Sequence, residues 1–315
     1  MNGPESTPAA DLDPGGESPP WQIRRRELLP QAPERVWKAL TEPAELTRWL
    51  CERSEVDLRQ GGRLAFFGDT VYNRPEAEDA AEAAPEGNFE ILECREPEVL
   101  EFRWWLGSTE TRVRFELASH LMQTDLRVIQ SAQQDPGWPQ GAGDPNWWWI
   151  ALPALRSYLE EGAPRLRLDY RALRQAASIR FQVGVATFPW TIWDKLTNRE
   201  ELARWWGEDP EIDLREGGSF RLQGEGATAA GPSRILELEP GKRLAHDWRW
   251  EDGTVGRVDW RIEETDDDTL LSLTDHGPWS PTGDRDRVGL YWASSILHLT
   301  HLSEKGITPR EHQVP

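Results

Sequence analysis

Four histidines and one aspartate stand where side-chain type and spacing can do chemistry. His246 lies between Leu244 and Trp248 in a strand-like run, and a period of two turns its imidazole to the same face as those apolar neighbours. An inward imidazole can orient a ligand carbonyl or hydroxyl, or act as an acid or base near neutral pH. The commoner arrangement is a core histidine bonded to a neighbour. Asp275 and His276 end another strand-like run. They can pair at a pocket mouth, or Asp275 can simply tie the strand-to-loop corner. His298 and His301 are three apart on a helical pattern, a spacing that can hold a metal, but no third ligand accompanies them. None of these patterns calls for a metal or a cofactor.

Nucleophile chemistry has no signature. The chain lacks G-x-S-x-G, a P-loop, and a cysteine in a suitable histidine context. Gly61-Gly62 and Gly217-Gly218 sit in hairpin turns and precede no helix, so they are not phosphate cradles. The many carboxylates fall mostly on helix faces and in loops, as a solvated surface requires.

The stronger signal is aromatic. There are 18 tryptophans in 315 residues, and Trp marks large cores, cavity walls and interfaces. Alternation puts Phe102, Trp104 and Leu106 on one face, with Val113, Phe115 and Leu117 beside them. Later in the chain Leu244, His246, Trp248 and Trp250 alternate likewise, as do Val258, Trp260 and Ile262. Trp148 and Trp292, on helical patterns, complete an aromatic lining. Such rings either fill a core or wall a site for a hydrophobic ligand. Trp147-Trp148-Trp149 covers more than one helix face, so at least one ring must pack on another part of the chain or on a partner.

The elements that must carry these residues occur twice. Ala32–Gly62 reads APERVWKALTEPAELTRWLCERSEVDLRQGG, and Phe188–Gly218 reads FPWTIWDKLTNREELARWWGEDPEIDLREGG. A constant offset of 156 aligns Trp37 with Trp193, Thr41 with Thr197, Trp49 with Trp205 and both Gly-Gly turns. That spacing suits a duplicated domain. In each copy a strand (Gln22–Leu29; Ser178–Val183) precedes two short helices (from Pro33 and Ala44–Leu50; within Phe188–Trp206). Six hairpin-spaced strands follow. In the first copy they are Ser54–Arg59, Arg63–Phe67, Asn88–Cys94, Val99–Leu106, Thr111–Leu117 and Thr124–Gln130. In the second they are Glu211–Leu214, Ser219–Gln223, Ser233–Leu238, Arg243–Trp250, Val255–Glu263 and Thr269–Asp275. Helices over Pro145–Glu161 and Arg285–Lys305 close the copies. Arg74–Glu86 is an acidic insertion without a counterpart. The expected fold is α+β: in each copy a curved antiparallel sheet wraps a long final helix. A sheet wrapped in this way can leave an apolar cavity under the helix. The expected division is a disordered tail 1–20, domains 21–162 and 177–306, a join 163–176 and a tail 307–315.

A net charge of −19 argues against nucleic acid and anionic membrane as partners. No apolar run reaches membrane-span length and the start lacks a signal-peptide pattern. Cys51 and Cys94 match no metal spacing, so a cytoplasmic location is expected.

The repeated motif, the D-L-R-x-GG turns, and ILECREPEVLEFRWW with its echo ILELEPGKRLAHDWRW resemble the SRPBCC, or START-like, helix-grip superfamily. Together with TDHGPW at Thr274–Trp279 they are most similar to the branch of the activator of heat-shock protein 90 ATPase. The resemblance implies a tandem helix-grip protein. Its function would be that of a carrier of small hydrophobic ligands, a co-chaperone-like partner of the chaperone, or a polyketide cyclase or aromatase using a pocket His or Asp. The first copy departs from the pattern, with the acidic insertion and with Gln133–Trp138 where the second has His276–Trp279. Non-catalytic binding of a small hydrophobic or aromatic ligand is the expected function. Phe102, Trp104, Phe115 and Trp148 are its candidate lining in the first copy; His246, Trp248, Trp250, Trp260, Asp275, His276 and Trp292 are those of the second.

Overall fold

The computed structural model describes residues 21–70, 88–106, 109–134, 147–206, 210–221, 233–249, 254–279 and 285–306. In the first copy the elements are β1 (Trp21–Leu29), α1 (Pro33–Thr41), α2 (Pro43–Trp49), β2 (Arg53–Val56), β3 (Arg63–Phe67), β4 (Asn88–Arg95), β5 (Val99–Leu106), β6 (Thr109–His120), β7 (Gln123–Ala132) and α3 (Trp148–Glu161). A connecting helix α4 (Tyr170–Gln175) leads to the second copy. There follow β8 (Ile179–Val185), α5 (Pro189–Thr197), α6 (Arg199–Trp205), β9 (Glu211–Ile212), β10 (Ser219–Arg221), β11 (Ser233–Glu239), β12 (Arg243–Arg249), β13 (Val255–Glu264), β14 (Thr269–Asp275) and α7 (Arg285–Lys305). Each copy builds its own seven-stranded antiparallel sheet, ordered β1-β7-β6-β5-β4-β3-β2 and β8-β14-β13-β12-β11-β10-β9. No helix among the described residues is long and apolar enough to cross a membrane.

The repeated residues have repeated structural roles. Pro33 and Pro189 open α1 and α5, where a missing N–H costs nothing. The Thr41 and Thr197 hydroxyls bond back to the Trp37 and Trp193 carbonyls, 2.8 Å each. The Trp49 indole N–H reaches the Ala39 carbonyl at 2.9 Å, and Trp205 reaches that of Lys195 at the same distance, pinning each short helix pair. In the Gly-Gly turns, Gly61 and Gly217 have φ of 73° and 76°, which disfavours a side chain. A Cβ on Gly62 or Gly218 would collide with the carbonyl oxygen of Asp57 or Asp213. The strands before these turns are shorter than expected, because the Asp57 and Asp213 carbonyls accept from Arg59 and Arg215 N–H and start the turn early. A register shift at Ile91/Glu93 recurs at Ile235/Glu237, a bulge that bends both sheets at the same place.

Each sheet's inner face and its final helix enclose one hydrophobic core. The connection is more structured than a plain join: Leu168, Tyr170 and Leu173 are buried in the second core. Arg174 grips Asp286 at the start of α7 through three hydrogen bonds of 2.5–3.0 Å. The copies also touch directly. Ile150 of α3 belongs to the second core cluster. The Trp149 ring meets the His298 imidazole edge-on at 4.5 Å, so this member of the tryptophan triplet packs on the other copy.

Candidate functional site

Strand parity placed the inner-face rings well. Phe102, Trp104, Phe115 and Trp148 are all buried under α3, as are His246, Trp248, Trp260 and Trp292 under α7. Trp250 and the acidic insertion lie outside the described residues.

In the first copy these rings enclose a hollow. Between sheet and α3 lies an apolar cavity of about 20 Å³, walled by Trp49, Leu50, Phe66, Phe102, Trp104, Phe115, Trp147 and Trp148 among others. Trp147 at the head of α3 is half-buried and closes one side. Its ring leans edge-on against Trp104 at 5.2 Å and Trp148 at 4.8 Å. The Trp148 indole N–H is satisfied by Gln130 Oε1 at 2.8 Å, and Gln130 Nε2 donates in turn to Thr111 Oγ1 at 2.9 Å. The polar part of the wall is thereby closed on itself, and the surface left for an occupant is hydrocarbon and ring face.

The second copy packs differently in the corresponding space. Trp206, at the position of Leu50, inserts its indole between sheet and helix. It stacks on Trp248 at 6.0 Å and meets Trp260 at 5.6 Å and Trp292 at 6.2 Å. Its N–H donates to the Tyr291 hydroxyl at 2.7 Å. Sequence reasoning missed Trp206, although the offset that pairs Trp49 with Trp205 also pairs it with Leu50.

His246 is fully buried, and protein engages both its nitrogens. Nδ1–H donates to the Asp247 carbonyl at 2.8 Å, and Nε2 accepts the Trp260 indole N–H at 3.3 Å. Burial, only partly opposed by the Asp247 carbonyl, pushes its pKa down to about 4, so the ring is neutral at pH 7. Asp275 and His276 are not brought together, since Asp275 is buried and His276 faces solvent. Asp275 ties the strand-to-loop corner: Oδ1 accepts the Gly277 N–H at 2.8 Å, while Oδ2 accepts the indoles of Trp292 at 2.8 Å and Trp279 at 3.0 Å. Burial raises its pKa from the ordinary aspartate value, with those donors acting against the rise.

A family model described as Activator of Hsp90 ATPase homolog 1-like protein matches residues 31–160 and 186–304. No curated protein matches the chain. Among solved structures the chain is similar to DynU16, a protein of the dynemicin biosynthetic locus. The identity is 19% over 90% of this chain and 98% of that one, with a TM-score of 0.37. It is also similar to CalU16 from Micromonospora echinospora, at 29% identity over 44% of this chain and 77% of that one, TM-score 0.35. A third is the Aha1 dimer from Colwellia psychrerythraea, at 21% identity over 41% of this chain and 97% of that one, TM-score 0.36.

Proposed function

Since the chain belongs to the Activator of Hsp90 ATPase homolog 1-like family, with two tandem helix-grip copies, we propose that it binds a small hydrophobic or aromatic ligand without turnover, in the first copy. The observation that carries this reading is the hollow under α3, walled by rings and leucines, beside a second copy in which Trp206 occupies the matching space. An apolar cavity stays dry and favours apolar guests. At about 20 Å³ it admits little more than a methyl group, so a larger ligand enters by displacing the Trp147 ring, whose ring contacts are edge-on. Titration of the protein with a panel of aromatics and lipids, read by Trp fluorescence, should perturb the emission. Leu50→Trp, which copies Trp206 into the first copy, should abolish the response. Silence across the panel, or a response untouched by Leu50→Trp, refutes the reading.

A co-chaperone-like role is the second reading, and one surface feature favours it. Phe188 and Trp190 at the head of α5 are 77% and 62% exposed, where the first copy has Ala32 and Glu34. Two large aromatics exposed within three residues of sequence are a feature that protein contacts use. Capture of the heat-shock chaperone by the protein, lost on Phe188→Ser with Trp190→Glu, would support this reading, and failure of the unaltered protein to capture it would dismiss it. The cyclase-like alternative needs His246 or Asp275 to reach a substrate, and both are sealed within the second copy at 0% and 1% exposure.

A further inference from the structure

The second copy carries on its outside a charge that its own cations do not answer. The turn between β13 and β14 holds Glu264, Asp266, Asp267 and Asp268, all exposed, and none of the four is in an ion pair among the described residues. Carboxylates elsewhere on the strands are met by arginine: Glu93, Glu101 and Glu116 by Arg114, and Asp259 by Arg243, Arg257 and Arg261. Nearby cations offset the turn little. Lys242 is paired with Glu239 at 3.1 Å. The arginines around Asp259 also serve Glu237, and Glu263, two residues from Arg261 on the same strand face, balances their remaining charge. Lys305, at the end of α7, balances one of the four, and most of the turn's charge remains.

The fold sets this turn beside the exposed aromatics of α5. The Thr269 hydroxyl, one residue after Asp268, donates to the carbonyl of Thr187, one residue before Phe188, at 2.5 Å. The Ile262 N–H reaches the Lys242 carbonyl at 2.8 Å, which brings the β11–β12 turn against β13. Trp190 rests on that turn: a Cβ on Gly241, whose φ is 77°, would come within 3.1 Å of its six-membered ring. The same indole meets Trp193 edge-on at 6.5 Å. Trp190 is therefore held in place yet 62% exposed, next to Phe188 at 77%. The first copy has neither half of this surface, with Ala32 and Glu34 at the helix head and Leu121-Met122 for the turn.

We propose that this face of the second copy docks a basic amphipathic peptide segment of a partner protein. Apolar side chains of the segment cover Phe188 and Trp190, and its lysines or arginines meet Glu264, Asp266, Asp267 and Asp268. Aromatic anchors give such a contact its affinity, and the charge selects the partner. A second copy of this chain is disfavoured, because two such faces would bring like charges together, and an anionic membrane is repelled for the same reason. The inference rests on the reading of Phe188 and Trp190 as a contact surface and adds the partner's chemistry to it.

Calorimetric titration of the full chain with a 12-residue peptide of leucines and lysines at helical spacing tests it. That peptide should bind, and versions with every Lys replaced by Glu, or every Leu by Ser, should bind about tenfold or more weakly. Phe188→Ser with Trp190→Ser, and Asp266→Asn with Asp267→Asn and Asp268→Asn, should each weaken it by a similar factor. Glu34→Gln with Glu42→Gln and Glu96→Gln, at exposed positions of the first copy, removes the same charge and should weaken it by less than twofold. Absence of binding, equal binding of the Ser version, or equal weakening by the two charge-neutralising triples overturns the proposal. A dimer of the unaltered protein that Phe188→Ser with Trp190→Ser dissolves, read by light scattering, would give the face to a second copy and overturn it too. The two readings fail separately: chaperone capture untouched by the aspartate triple leaves the contact surface standing and refutes the basic segment, whereas peptide binding without chaperone capture does the reverse.

Discussion

If Trp206 is what closes the second copy, replacing it by leucine, the residue at its counterpart Leu50, should open a hollow there. The indole is 6% exposed and packs among Trp205, Phe220, Trp248, Trp260 and Trp292. Truncation of a buried Trp to Ala costs about 3–5 kcal/mol, and leucine restores part of that volume. Loss of the hydrogen bond to the Tyr291 hydroxyl adds about 1 kcal/mol. The net expectation is about 3 kcal/mol, felt by the helix that covers the site. Hydrogen exchange of the α7 amides reads this locally, and about 3 kcal/mol corresponds to exchange faster by roughly a hundredfold. The variant should also take up indole, as engineered apolar cavities take up benzene. Exchange within about threefold of the parent, with no indole uptake, would refute the assignment of Trp206 as the plug.

Three further outcomes follow from the geometry. His246 has a folded pKa of about 4 against an ordinary 6.5, so the unfolded chain takes up its proton first. Its contribution is complete above pH 6.5 and is lost as pH falls, by about 2 kcal/mol at pH 5. His246→Phe, copying Phe102, should remove that loss from denaturant midpoints measured across the range; an unchanged slope would count against it. Asp275 titrates in the opposite sense. Its folded pKa is raised by burial, so stability is greatest below the ordinary carboxylate range and declines as pH rises through the folded value. Asp275→Asn should therefore gain on the parent in thermal melts as pH is raised from about 4 to 7, and a gap that stays constant defeats the argument. Arg165→Ala removes the bridge between Glu161 and Glu304, the latter 9% exposed and also bonded to the Ala186 N–H at 2.9 Å. Docking of the copies should weaken by about 1–2 kcal/mol, after discounting for the exposed quarter of Arg165. Faster limited proteolysis between α3 and α4 is the readout, and parental resistance would be the contrary result.

The fold was largely legible because its signals are local and doubled. Proline openings, Thr back-bonds and Gly-Gly turns each obey short-range rules, and their recurrence at one offset made chance implausible. Alternation on β5, β6, β12 and β13 put the rings on the correct face without any knowledge of the sheet. Whether a ring walls a hollow or fills one was not legible, because that depends on volumes contributed by elements far apart in sequence. Leu50 against Trp206 decides it, and both simply read as apolar. α4 went unnoticed for a related reason: its six residues carry too little periodicity to stand out, and tertiary burial of Tyr170 and Leu173 holds it in place.

The paired registers explain why the second copy carries a histidine in its core. Ile91 faces Phe102 in one sheet and Ile235 faces His246 in the other, so Phe102 and His246 are counterparts. By the same test Phe115, opposite Leu100, corresponds to Trp260, opposite Leu244. Gln130, opposite Val113, corresponds to Asp275, opposite Val258. Exchanging Phe115 for a tryptophan fills space but brings an indole N–H into a dry interior, where an unmet donor is costly. His246 supplies its acceptor, and the Asp247 carbonyl fixes the tautomer that leaves Nε2 free to accept. Trp206 brings another N–H and finds the Tyr291 hydroxyl, while Asp275 collects those of Trp292 and Trp279. Each of these indoles thus has an acceptor among neighbouring side chains, as Trp148 has Gln130 in the first copy, and His246 and Asp275, which look catalytic in the sequence, are among the acceptors. The first copy has phenylalanine at both of its corresponding positions, with no donor to satisfy and no ring at Leu50 to complete the packing. Its interior retains space and few polar groups, the combination that an apolar guest requires.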